Sequence, residues 1–125
     1  MDVRTIRNRT TERRRKMKFG GYDVGGEVVK QDDRYTVKDD KILKNLVVSS
    51  TTLHPGKSTS GHSHSGQEEV YQFVYGQGEM EIDGDRFSVV AGDVVLIPDG
   101  AFHRVINDGD MNMLFNCVFQ GTRNH

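Results

Sequence analysis

A chain of 125 residues, 34% of them apolar and 28% charged, has the length of one domain and the means for only a lean core. It has no apolar run approaching about eighteen residues and no basic-then-apolar leader, so neither a membrane span nor a secretory route is expected. The single Cys117 cannot form an internal disulfide and fits a reducing, cytoplasmic compartment; its alternating surroundings read as a strand, and the thiol as buried and structural.

The net charge of −1 conceals an asymmetry. Residues 1–18 carry eight basic and two acidic side chains, or +6, and the rest of the chain carries −7. This basic arm reads as a solvated tail, with a short helix at 13–18 capped by Thr10 or Thr11 as an option. Binding to a polyanion is the alternative, but no aromatic residue precedes Phe19 to stack on bases, so nucleic acid is not expected as a partner.

Beyond the arm, residues 19–42 form a lead-in with short strands at 27–29 and 35–37 and turns at Asp32-Asp33 and Asp39-Asp40. A longer strand rich in β-branched residues spans 43–53. Further strands are expected at 70–74, 79–82, 86–90, 94–97, 103–106 and 113–119, with a tail at 120–125. Turn signals separate them: Gly76-Gln77-Gly78, Asp83-Gly84, Ala91-Gly92-Asp93 and 107–110. Many short strands with no helical periodicity predict an all-β sandwich or small barrel. Edge strands at 27–37 and the low apolar content predict a homodimer.

Two segments carry the chemistry. Gly56, His62, His64, Glu69 and Gly76 fit G-x5-H-x-H-x4-E-x6-G; Gly92, Pro98, Gly100, His103 and Asn107 fit G-x5-P-x-G-x2-H-x3-N. Three imidazoles and a carboxylate suit a divalent transition metal and leave positions of an octahedral ion open. His62 and His64, at i and i+2, share a face of an extended segment. Glu69 lies five residues on, so Ser65-Gly66-Gln67 must turn, while Glu68 has the opposite parity and points outward. The glycines and Pro98 read as framework.

This motif pair resembles that of the cupin superfamily, with every constrained position filled. The resemblance covers roughly 43–119 and implies a jelly-roll β-barrel in which His62, His64, Glu69 and His103 ligate one divalent ion (Fe, Mn, Zn or Ni). The superfamily includes dioxygenases, decarboxylases, isomerases, lyases and non-catalytic proteins. Its thiol dioxygenases generally lack the glutamate present here.

Tyr71, Phe73 and Tyr75 share parity with Glu69 and should face the barrel interior, as should Val105 and half of Ser49 to Thr52; Phe102 should border the mouth. Ordinary core packing is the competing reading for the three aromatic residues. Tyr71, two residues from Glu69, is the best candidate for a catalytic acid or base. Lys57, Arg86 and Arg104 are the cations near the motifs, and Arg104 has the wrong parity, so no phosphate clamp is evident. The expected activity is that of a metal-dependent enzyme on a small oxygenated metabolite, by dioxygenation or by Lewis-acid isomerisation or decarboxylation; the alternative is a non-catalytic metal- and ligand-binding module.

Overall fold

A computed structural model describes residues 20–121. The basic arm and its possible helix, and most of the expected tail, lie outside the described residues. Nine strands follow in order: β1 (Glu27–Gln31), β2 (Tyr35–Asp40), β3 (Leu46–Leu53), β4 (Glu69–Tyr75), β5 (Gln77–Ile82), β6 (Asp85–Val90), β7 (Val94–Ile97), β8 (His103–Ile106) and β9 (Met113–Gln120). They form a six-stranded sheet, β1-β2-β3-β9-β4-β7, facing a three-stranded sheet, β6-β5-β8, and all named pairings are antiparallel. This is the barrel that the strand pattern predicts. Among the described residues no helix is long and apolar enough to cross a membrane.

The two inner faces meet over a core in which Leu53, Met80, Val89, Val105 and Met113 are fully buried, with Phe73, Phe115 and Phe119 filling between them. β9 is central, paired along its length with β3 and β4. Its register sets Ser49, Cys117 and Tyr71 in one row across three strands, and Val47, Phe119 and Glu69 in the next. Residues directly opposite one another in neighbouring strands share a sheet face, so hydroxyl, thiol and phenol project together.

Four local expectations are corrected. Asp39-Asp40 does not turn: both residues continue β2 opposite Ser49 and Val48, and Asp39 is buried. The turn comes afterwards, with Asp40 Oδ1 accepting from the Ile42 amide at 3.1 Å, so the aspartate acts on backbone two residues downstream. Residues 43–45 accordingly belong to this loop, and β3 begins only at Leu46. The Gly76-Gln77-Gly78 turn shrinks to Gly76, whose positive φ passes the chain from the large sheet into the small one while its Cα faces the Asn112 carbonyl too closely for a Cβ. Finally, the register of β4 against β9 shifts between Phe73 and Tyr75. This bulge turns Tyr75 outward, where it is 43% exposed, rather than into the barrel.

The hairpin signal behaves as expected. Asp83 and Gly84 both have positive φ and close β5 onto β6 in the primed type of turn. Asn107, the last residue of the second motif, is 1% exposed. Its amide donates to the carbonyls of Leu53 at 3.0 Å and Met111 at 2.8 Å, and its oxygen accepts from the Gly109 amide at 3.1 Å. It is a buckle between the end of β3 and the loop before β9. Replacing it by Ala removes the bonds to both carbonyls, that of Leu53 being buried, so Asn107→Ala is expected to destabilise the fold by about 1–3 kcal/mol, measured by denaturant unfolding, with no change in the ligands of the site.

Candidate metal centre

Residues 57–62 form an extended segment along the free edge of β8, touching it at two bridges, Ser58 with Ile106 and His62 with His103. Thr59 takes part with both groups: its amide donates to the Val105 carbonyl and its hydroxyl accepts from the Val105 amide, each at 2.9 Å. At the second bridge the His62 and His103 backbones exchange hydrogen bonds of 3.3 and 3.0 Å. The chain then turns at Ser65-Gly66, where Gly66 has φ +83° and its amide donates to Asp99 Oδ1 at 2.7 Å. That turn resolves the parity mismatch and delivers Glu69 at the first position of β4.

The three imidazoles converge. Ring centroids are 4.4 Å apart for His62 and His64, 4.8 Å for His62 and His103, and 5.6 Å for His64 and His103, and one nitrogen from each ring lies within 4.8 Å of the others. The Glu69 carboxylate closes on the same point, with Oε1 3.2 Å from His64 Nε2 and Oε2 3.6 Å from His103 Nε2. His103 Nδ1 lies 3.0 Å from the Ala101 carbonyl, which can only accept, so Nδ1 carries the proton and Nε2 turns its lone pair inward. In this neutral ring the buried Nε2 receives no hydrogen bond from any donor. Two ligands of one ion at bond lengths of ~2.1 Å stand roughly 3–4 Å apart. The orphaned nitrogen, its spacing from Glu69 and the nitrogen-rich donor set fit a divalent transition metal, which His62, His64 and His103 could bind.

The electrostatics follow from this crowding. Burial pushes the Glu69 carboxyl up, but hydrogen bonding and charge from His103, His64 and Cys117 more than offset it and hold it down at about 2. Burial pushes His103 down, while the Glu69 carboxylate and the Ala101 carbonyl raise it above its ordinary value.

A narrow cavity of about 50 Å³, open at its mouth, lies at the cluster and is lined by His62 and Glu69. Tyr71 lies in its wall as expected, stacked on Phe115 at 5.6 Å and edge-on to His103 at 5.6 Å. Phe73 and Val105 are core residues; Ser49 and Thr51 are the inward half of their run, whereas Ser50 faces the other way under Asp23 and Val24. Phe102 lies against Gly61, leaving no room there for a Cβ. Glu68 is exposed, Arg86 pairs with Glu79 at 3.0 Å, Arg104 with Glu81 at 3.1 Å, and Lys57 reaches only Asp33 at 4.0 Å, so none of these cations lines the cavity.

Cys117, Lys30 and Tyr35 are among the residues of the cavity wall that escape a reading by motif and parity. Cys117 is buried, as expected, but its thiol donates to Glu69 Oε2 at 3.1 Å. Lys30 and Tyr35 reach the wall from β1 and β2, far from either motif in sequence. The register of β1 shifts between Val28 and Lys30, and through this bulge Val29 packs against the core while its neighbour Lys30 lines the cavity.

The Cys117 thiol orients the carboxylate from behind, so Cys117→Val is expected to lower zinc affinity about 10–100-fold in a chelator competition while leaving the fold intact. The pH dependence has a definite sign. In the metal-free chain, His103 contributes stability below its ordinary value of 6.5, and this is lost as pH rises through its raised folded value. Glu69 contributes above 4.5, and its share is lost as pH falls toward 2. Metal binding needs deprotonated imidazoles. The rise in melting temperature on adding zinc is therefore expected to be larger at pH 8 than at pH 6; equal increments would show that the imidazoles are not the ligands.

Comparison with known proteins places these features in a family. A family model described as a cupin domain matches residues 49–119. An oxalate-binding protein of Thermotoga maritima is 33% identical over 66 residues, covering 53% of this chain and 54% of its own. A glucose-6-phosphate isomerase of Pyrococcus furiosus is 30% identical over 117 residues, covering 79% of this chain and 62% of its own. The chain thus spans between half and two thirds of the length of these two relatives. A solved cupin 2 conserved barrel domain protein from Salinispora arenicola superposes with a TM-score of 0.66 at 25% identity, covering 77% of this chain and 82% of that one. With the family model spanning more than half of its residues and the barrel built as the motifs require, this chain belongs to the cupin superfamily.

Proposed function

We propose that this cupin is a metal-dependent enzyme acting on a small oxygenated metabolite, a sugar or a keto or other organic acid, chelated to one divalent ion held by His62, His64, Glu69 and His103. The observation that carries this reading is the convergence of three imidazoles and a buried carboxylate at the floor of an open cavity. When bound, a divalent ion of this kind would polarise chelated oxygens for isomerisation or decarboxylation or, as iron, bring dioxygen to the substrate. The relatives' descriptions, an oxalate-binding protein and a glucose-6-phosphate isomerase, both concern small oxygen-rich anions.

The chain's own groups divide the remaining work. Glu69 supplies one negative charge toward a divalent cation. Phe115, Val37 and the Tyr71 ring form an apolar wall that limits water around a bound ligand. Tyr71, on the same strand face as Glu69 and in the cavity wall, is the residue to which this reading assigns proton transfer. Tyr35 adds a second phenol. Burial pushes it up, but hydrogen bonding from Lys30 and Ser60 outweighs this and holds it below its ordinary value. A non-catalytic binding module is the second reading, favoured by the oxalate-binding relative.

Metal analysis of the purified protein, then oxygen uptake and product analysis over a panel of sugars and keto acids, separates these readings. His64→Ala should abolish metal content. Tyr71→Phe should lower turnover by about 10²–10⁴-fold at unchanged metal content if the hydroxyl transfers a proton. Unchanged turnover would reduce Tyr71 to packing, and the absence of turnover with iron, manganese, zinc or nickel while chelating anions still bind would favour the module. A homodimer belongs to this proposal: β1 and β7 are edge strands of the larger sheet, and Val94 and Leu96 on β7 are 58% and 70% exposed. Light scattering at micromolar concentration is expected to give the mass of two chains.

A further inference from the structure

We propose that Lys30, seated on Tyr35 at the wall of the cavity, is a second anion subsite, and that the substrate is a dianion with one acidic, chelating end at the metal and a second acidic group at Lys30. This rests on the metal-site reading above and narrows it to a substrate class.

The argument begins with what holds Lys30. Its Nζ lies 4.9 Å from the centroid of the Tyr35 ring and 3.5 Å from Ser60 Oγ. Ser60 is two residues from His62, and its amide donates to the Tyr35 hydroxyl at 3.3 Å. The ammonium group is thereby fixed beside the segment that carries the first imidazole and runs along the free edge of β8. An edge strand of the large sheet and the edge of the small sheet meet there.

Lys30 has no carboxylate within ion-pair distance among the described residues. Its neighbour Arg34 differs: the guanidinium grips Asp32, with Nη2 at 2.7 Å and Nε at 3.2 Å from Oδ2, and its charge is already answered. Among the residues lining the cavity, Glu69 is the one carboxylate and Lys30 the one amine. A divalent ion with three neutral imidazoles and Glu69 has a net charge of +1, and Lys30 raises the cavity to +2. A monoanion chelated at the metal leaves the ammonium unanswered in a partly desolvated site, whereas a dianion balances both charges. The hydroxyl-bearing residues Ser49, Thr51 and Thr59 line the same cavity.

Isothermal titration of the nickel-loaded full chain tests this with matched pairs that differ only in the second acidic group. The pairs are 2-oxoglutarate against 2-oxopentanoate, for a carboxylate, and 3-phosphoglycerate against glycerate, for a phosphate. Oxalate serves as the probe of the metal end alone. In the wild-type chain the two-headed member of at least one pair is expected to bind about 10–100-fold tighter than its partner. Lys30→Met should reduce that ratio below about twofold, leaving oxalate affinity and nickel content unchanged, and Lys30→Arg should restore most of it. The pair that discriminates identifies the second group. Equal affinity within both pairs in the wild type, or a Lys30→Met variant that weakens both members of a pair and oxalate alike, overturns the subsite while the metal-site reading stands. Failure of oxalate and every other chelator to bind the nickel-loaded chain overturns both.

Discussion

The site depends on an exchange of backbone hydrogen bonds between His62 and His103. No regular strand carries His62; the segment from Lys57 onward touches β8 at only two bridges. Yet those bonds of 3.3 and 3.0 Å join the two motifs, and with them the loop before β4 to the small sheet. The pairing fixes backbone positions before any ion is considered, so the imidazoles need only rotate within short range to share a centre. Gly61 makes room for the tip of the Phe102 ring against the same segment.

Much of this was legible in the sequence, because the residues that make the barrel obey simple rules. Alternation and turn chemistry predict all nine strands, and Asp83-Gly84 predicts its own hairpin. The four converging groups are legible because two motifs place them at fixed offsets from glycines. What escaped follows from places where the rules lapse. Asp39 looks like a turn residue, but its backbone is needed opposite Ser49, and Asp40 does the turning instead. Tyr75 has the parity of Glu69, but a bulge between them and the strand end breaks the count. Cys117 was placed in a strand, yet only the register of β9 against β4 reveals that its thiol meets Glu69. Lys30 lies behind both obstacles: a bulge cancels its parity, and only the closure of the barrel brings β1 to the first motif.

The buried polar groups form a graded set rather than a scatter. Asn107, far from the imidazoles, is satisfied entirely by backbone and fastens loops. Cys117 and the Ala101 carbonyl each make one contact with a group of the cluster and orient it. His103 Nε2, at the centre, is left with its lone pair unanswered by protein. Unsatisfied polarity is costly in a dry interior, and here it is confined to the point where an ion would relieve it.

The bulge in β1 has a consequence for how such a protein can diversify. The floor of the cavity is made by residues 62–103, inside the segment shared across the family, whereas Lys30 and Tyr35 come from strands that precede that segment. In the proposed reading, reactivity and selectivity reside on separate stretches of the chain. Insertion or loss of one residue in β1 would restore or shift its alternation and trade the cation for a neighbour, with no ligand displaced. On that reading, the lead-in is where a cupin of this kind would acquire a new substrate while its metal chemistry is inherited unchanged.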